Sequence, residues 1–190
     1  VTVTGESPRR RRDPEARRRD IIEAAATLIT EIGSGGLTHR LVAKRAGVAV
    51  GSTTQYFATL DDLRQAALGH LADDIDEALA AIAQSLTDNG ASPDAFAEAL
   101  HDYLSTPRLL RADMALLSAA MVDPAIRPLA RRWSDGLVEL LTPFVGERSA
   151  RAITAYIDGA SVHALFYEPP MTVDELSAAL TALIDYGRTP

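Results

Sequence analysis

An all-α fold is what this chain predicts, on three observations. Apolar residues recur at helical spacing along most of its 190 residues. Three start signals, Ser92-Pro93, Thr106-Pro107 and Asp123-Pro124, put a capping side chain directly before a proline, the order that suits a first helical turn. No segment alternates apolar and polar residues for long enough to read as a strand. About nine helices are expected: three near the N-terminus, then a larger helical body.

Residues 1–12 are polar, contain Gly5 and Pro8 and end in Arg9-Arg10-Arg11-Arg12, so a mobile arm is expected. Asp13-Pro14 opens the first helix, whose Ile21, Ile22, Ala25, Leu28, Ile29 and Ile32 form one apolar face. Arg17, Arg18 and Arg19 fall on its outer side, and Gly33, Gly35 and Gly36 end it. Thr38 caps a short second helix, for which Leu41, Val42 and Ala46 supply the apolar face. Gly47 closes it where positive φ is easily reached, and Val48 turns back under the corner. A third helix begins near Val50. Thr59 opens the fourth, with Asp61 and Asp62 at the positive end of the helix dipole. Its Leu63, Ala67, Leu71, Ile75, Leu79 and Ile82 carry one stripe to about Leu86, nearly seven turns. The Pro-headed helices are expected over 92–104, 107–122 and 124–144, with Pro128 able to break the last near its start. Another helix runs from Gly146 to about Tyr167 and stops at Glu168-Pro169-Pro170. Thr172-Val173-Asp174-Glu175 forms a capping box for the final helix, to about Tyr186.

The short pair between Thr38 and Phe57 is the informative stretch. Its second helix carries Ser52, Thr53, Thr54, Gln55 and Tyr56 in a row. So small and polar a helix is a poor core element, but its hydroxyls and amide can bond phosphates and base edges. Two short helices at a glycine corner form a helix-turn-helix, whose second helix enters the DNA major groove. The run LTHRLVAKRAGVAVGSTTQYFATLDDL resembles the signature of TetR-family transcriptional regulators. The resemblance rests on the amphipathic first helix, the T-x-x-x-[IV]-A-x-x-A-G-V core, the G-[ST] opening of the next helix and its aromatic-Phe ending. It covers roughly the first third of the chain. The sequence departs from the family where Thr54 replaces a common Tyr and Leu60 a common Lys, two groups that touch the DNA backbone in family members.

Charge divides along the same line. The net −7 hides 11 basic and 8 acidic side chains in residues 1–70, against 8 and 18 in residues 71–190. A basic end of net +3 on a body of net −10 suits a reader of nucleic acid joined to an acidic domain. The boundary is expected inside the fourth helix, giving a DNA-binding domain over 1–60 and an effector-binding and dimerisation domain over 61–190. No cysteine is present, which excludes disulfides, thiolate metal sites and cysteine nucleophiles and suits a reducing cytoplasm. No apolar run approaches the roughly 18–20 residues of a membrane span, and the arginine run precedes no signal-like apolar stretch. Lys44 is the single lysine.

Candidate DNA contacts are Thr38, Arg40, Lys44, Ser52, Thr53, Thr54, Gln55 and Tyr56. Gln55 is the foremost base reader, because its amide matches the N7/N6 edge of adenine. Arg40 and Lys44 are phosphate contacts or a solvated face. Tyr56 reads DNA or anchors the helix, and Phe57 anchors it. The arginine arm touches phosphate or the minor groove, or is a solvated tail. By resemblance, helices between about 92 and 167 enclose a small-molecule effector. Candidate lining residues are Phe96, Tyr103, Met114, Leu117, Met121, Trp133, Leu137, Tyr156, His163 and Phe166, each of which could instead be ordinary core. His163 bonds a ligand or is a satisfied buried histidine. No metal set or cofactor motif is evident, because His39, His70, His101 and His163 are scattered, so no cofactor is expected. Ala152, Ala155, Gly159 and Ala160, with Leu176, Leu180, Leu183 and Ile184, suggest a homodimer through the last two helices. Such a dimer would read operator half-sites roughly 34 Å apart. The function expected is a DNA-binding regulator, a repressor released from its operator by an effector; the alternative is an effector-independent regulator or activator. An enzyme is not expected, since no nucleophile-base-acid set or phosphate-cradling loop is present.

Overall fold

The computed structural model describes residues 13–90 and 92–188. The arginine arm lies outside them. Ten α-helices follow one another among the described residues: α1 (Pro14–Ile32), α2 (His39–Ala46), α3 (Val50–Tyr56), α4 (Leu60–Asn89), α5 (Pro93–Leu104), α6 (Pro107–Val122), the single turn α7 (Arg127–Ala130), α8 (Arg132–Val145), α9 (Glu147–Phe166) and α10 (Val173–Arg188).

The starts follow local chemistry. Asp13 accepts from the Glu15 and Ala16 amides at 3.0 and 3.2 Å, with Pro14 at the first helical position. Thr59 and Asp62 exchange bonds at 3.1 and 3.0 Å in a reciprocal capping box. Thr172 and Glu175 do the same at 2.8 and 3.3 Å. Of the three proline-headed starts, Ser92 and Asp123 cap by side chain, whereas the Thr106 hydroxyl turns back to the Asp102 carbonyl at 2.8 Å. The helix expected over 124–144 divides. Pro124–Ile126 is a 3-10 turn, Pro128 sits in the separate turn α7, and the long helix begins only at Arg132. A proline near a helix start has no amide to give the ladder, which makes that break cheap.

Helix α4 is the mast of the molecule. It packs against α1, α5, α6, α7 and α8. Its Leu63, Ala67, Leu71, Ile75 and Ile82 are buried as their spacing requires. It runs three residues past Leu86 and stops at Gly90, whose φ is +81°. Half-buried Leu79 meets α8 where Gly136 lies, and a Cβ at Gly136 would stand 2.6 Å from Leu79 Cδ1. Glycine there lets the two helices approach closely. Two arginines fasten neighbouring helices to the middle of α4: Arg108 of α6 pairs with Asp74, and Arg132 of α8 with Asp73 and Asp76.

The terminal helices differ from expectation. Leu176 and Leu180 are fully buried inside the protomer, where α10 packs on α5 and α9. The outward surface of α9 instead carries Ala155, Gly159 and Val162, with Phe166 at its end.

Candidate nucleic-acid interface and effector region

At the N-terminal end, the glycine corner sets the geometry of α2 and α3. Gly47 adopts φ +65° and ψ 34°, and the Val48 amide returns to the Ala43 carbonyl at 3.0 Å. Thr38 spends its hydroxyl on the Leu41 amide at 3.2 Å. The buried face of α2 is Val42 and Ala43, while Leu41 is 39% exposed. Leu41 therefore joins the outer surface rather than the core stripe read from spacing.

Helix α3 presents Thr54 and Gln55 to the outside, with Ser52 and Tyr56 half-buried. Thr53 is the correction: it is 0% exposed. Its hydroxyl donates to the Val50 carbonyl at 2.7 Å, and His39 Nδ1 lies 3.1 Å from the same oxygen. Because that single proton is committed to Val50, the His39 ring must donate through Nδ1. Thr53 thus pins α3 to the start of α2 and does not reach a groove. One residue of helical rotation separates it from Thr54, which a row of polar residues cannot distinguish.

A cleft of about 540 Å³ runs between α3 and the start of α1, lined by Asp13, Pro14, Arg17, Gly47, Val48, Ala49, Ser52, Gln55 and Tyr56. Arg17 is the residue that the candidate list missed. Its position among three arginines in the first turns of α1 was the available signal. The neighbouring cations have other duties. Arg18 lies over the Phe57 ring, 5.2 Å from its centroid, and holds the end of α3. Arg45 grips Glu31 with both nitrogens, at 3.0 and 2.5 Å, joining α2 to α1. The hydrogen bond from Arg45, together with its charge, holds the Glu31 carboxyl below the usual range. Arg40 and Lys44 are exposed and make no ion pair among the described residues, so their charges are available to a phosphate backbone. The second helix of the pair therefore shows an amide, the Ser52 hydroxyl and a phenol beside uncommitted cations. The exposed Thr54 hydroxyl donates to the Gly51 carbonyl at 3.1 Å and would have to turn from it to meet a phosphate. The arrangement is able to bond both phosphates and base edges.

In the body, the ten expected lining residues do not share one cavity. Phe96, Tyr103, Trp133 and Leu137 are buried; Met114 and Tyr156 are half-buried; Leu117, Met121, His163 and Phe166 are exposed. Met121 and Phe166 are 79% and 77% exposed because they stand on the outward sides of helix ends. His163 is not a buried histidine; it stacks on Tyr167 at the surface, with centroids 4.3 Å apart. Tyr156 reaches the Met171 sulfur at 3.5 Å. Tyr103 and Trp133 stack, with centroids 4.2 Å apart and planes 18° from parallel, in the same core as Phe96 and Leu137.

Around that pair lies a polar set that sequence reasoning passed over. Asp113 of α6 is 2% exposed, and its Oδ2 has no hydrogen-bond partner among the described residues. The same holds for the Tyr103 hydroxyl, Trp133 Nε1 and the Ser161 hydroxyl. Burial first, and then the Asp158 carboxyl, push Asp113 up to about 7. Burial also raises Asp158, which the Ser134 hydroxyl, 3.4 Å from both its oxygens, partly offsets. Burial, then Asp113, drive the Tyr103 hydroxyl far above its ordinary value. A lone Asp three residues from Leu110 and three from Leu116, on an apolar helix face, was the signal that could have found this cluster. Beside it, an open cleft of about 220 Å³ lies between α4, α5 and α6, walled by Ala78, Ile82, Ala99, Tyr103 and Leu109, with Asp102 also on its lining. Among the described residues no group of three His, Cys, Asp or Glu is placed to hold a metal ion, and no helix is long and apolar enough to cross a membrane.

Comparison with known proteins yields consistent findings. The family model described as bacterial regulatory proteins, tetR family, matches residues 21–67, and the tetracyclin repressor-like C-terminal domain matches residues 87–186. The structure of a TetR-family member from Streptomyces coelicolor A3 is 36% identical, covers 88% of this chain and 97% of its own, and superposes with a TM-score of 0.76. The multidrug binding protein EbrR complexed with proflavin is also 36% identical, covering 88% of this chain and 99% of its own, with a TM-score of 0.71. The HTH-type transcriptional regulator BetI of Burkholderia thailandensis is 28% identical over 186 residues, 90% of this chain and 92% of the relative.

Proposed function

The chain belongs to the TetR family of bacterial regulatory proteins, and from that membership we propose a repressor that leaves its operator when a small molecule enters the helical body. DNA-binding transcriptional regulation is the function of the family. The observation that carries the reading for this chain is the α1–α3 cleft, where Arg17 flanks the exposed amide of Gln55. In this reading Gln55 and Tyr56 face the bases, while Thr38, Arg40, Lys44, Ser52, Thr54 and Arg17 bond phosphates. Thr53 positions the helix instead.

Residues 1–60 form the DNA-binding domain and residues 61–190 the effector and dimerisation domain, with α4 crossing between them. The body has a mechanical hold on that helix. Arg108 sits five residues before Asp113 on α6, and Arg132 directly precedes Trp133 on α8; both arginines grip the Asp73–Asp76 stretch of α4. A ligand that shifts α6 or α8 would therefore tilt α4 and change the spacing of the two recognition helices. The effector acts by the difference in its affinity for the two arrangements. That EbrR has been seen with proflavin, malachite green, ethidium and imidazole supports a small-molecule effector here. The homodimer is proposed to form through the outward faces of α9 and α10, in the cytoplasm.

A gel shift on duplexes selected from a random pool by the full chain tests the reading. One or two half-site sequences at a fixed spacing should emerge, and the shift should weaken on adding small-molecule libraries. Binding without sequence preference would overturn the operator assignment. Sequence-specific binding that no compound relieves would favour an effector-independent regulator.

A further inference from the structure

We propose that the effector is an aromatic organic cation, held by Asp113 and Asp158 against the Tyr103–Trp133 ring pair. This rests on the effector-released reading above and adds the ligand's charge and its residues. Asp113 is 2% exposed on α6, with one oxygen unpartnered. The charged group close enough to act on it is a second carboxyl, Asp158 of α9. Among the described residues no basic side chain acts on Asp113, and two arginines of the adjoining helices are turned elsewhere: Arg108 pairs with Asp74, and Arg132 with Asp73 and Asp76. Two acids in a poorly solvated place, without a cation between them, repel each other. A ligand carrying positive charge converts that repulsion into attraction, whereas an anion would meet both carboxyls.

The remaining groups suit the same ligand. Tyr103 and Trp133 offer π faces, which attract a cation most strongly when desolvated. The Tyr103 and Ser161 hydroxyls, both buried and unpartnered, supply oxygen acceptors rather than positive charge. Tyr103 belongs both to this cluster and to the lining of the 220 Å³ cleft, which makes that cleft the nearest opening. Asp102 on the cleft lining adds a third negative group along the approach.

Trp133 is the single tryptophan of the chain, so its fluorescence reports on the site directly. The test titrates the full chain with 1-methylquinolinium and with its neutral isostere 1-methylnaphthalene, following Trp133 emission and confirming by calorimetry. The cation is expected to bind saturably and about tenfold or more tighter than the isostere. Asp113→Asn should remove most of that preference by weakening the cation relative to the isostere. Asp158→Asn, farther from full burial, gives a smaller loss in the same direction and serves if the first variant does not fold. Affinity for the cation should rise with pH as Asp113 ionises against Tyr103 and Asp158. Equal binding of cation and isostere, or a preference untouched by both substitutions, overturns the proposal. The readout contains no DNA, so failure here leaves the operator reading to its own gel shift. Cation binding that depends on Asp113 but leaves DNA affinity unchanged would uphold the site and overturn effector release.

Discussion

Asp113→Asn should stabilise the free protein, and by more as the solution becomes more alkaline. The wild-type carboxyl moves from an ordinary 3.8 to about 7 on folding, chiefly through burial and then through Asp158. Its folded-state value is raised, so the native chain holds a proton that the unfolded chain releases. Stability therefore falls as pH rises from about 4 and levels off above about 7. The full penalty, roughly three units of differential protonation, is about 4 kcal/mol. Between about pH 5.5 and about pH 8.5 the part that changes is about 2 kcal/mol. Asparagine has the same shape and no charge to lose, so its gain over wild type should widen by that amount. Glu31 and Glu175 are both held below their ordinary value of 4.5. Their stabilising contribution is complete above that value and is lost only at lower pH, so it is constant across the window. Urea unfolding of both proteins, followed by Trp133 fluorescence and far-ultraviolet circular dichroism at one protein concentration, measures the difference. A wild-type-to-variant gap that does not change with pH would show that Asp113 is not the buried acid described here.

The other predictions concern the two ends of the molecule. Thr53→Val keeps the shape and removes the hydroxyl between Val50 and His39. It should cost about 1–2 kcal/mol in urea unfolding and weaken DNA binding alike on all operator variants; loss confined to one base pair would return Thr53 to the groove. Gln55→Ala should cost about 1–3 kcal/mol and relax preference at a single position in a binding-site selection. Arg17→Ala should instead weaken binding evenly and lower the slope of log affinity against log salt by about one. Gly136→Val would drive a side chain into Leu79, and should lower stability by about 1–3 kcal/mol by prising α8 from α4; an unchanged melting curve would mean that the two helices are not held at that distance.

How much of this was legible depended on whether the governing physics is local. Caps, proline starts and the glycine corner act within a few residues, and the sequence-based boundaries of α1, α5 and α6 agree closely with the helices observed. The burial of α4 was readable for the same reason, because one apolar stripe runs along the helix and meets several neighbouring helices. Thr53 was not separable from Thr54, because both are Thr in one polar run and only packing against His39 decides which turns inward. Leu176 and Leu180 misled in a related way: an apolar stripe says that something covers it, and here α5 and α9 do so within the protomer. The effector region was the least legible part, since shape and charge there are made by four helices far apart in sequence. Large apolar side chains were the wrong guide to it. In a body of ordinary apolar content nearly every helix offers an aromatic or a methionine, and most simply fill space. A carboxyl on the apolar face of α6 is rarer and more costly, because burying it without a partner works against folding. A feature that opposes folding is better evidence for a ligand than any number of features that assist it. On that argument Asp113, rather than Phe96 or Met121, is the place from which a search for the effector should start.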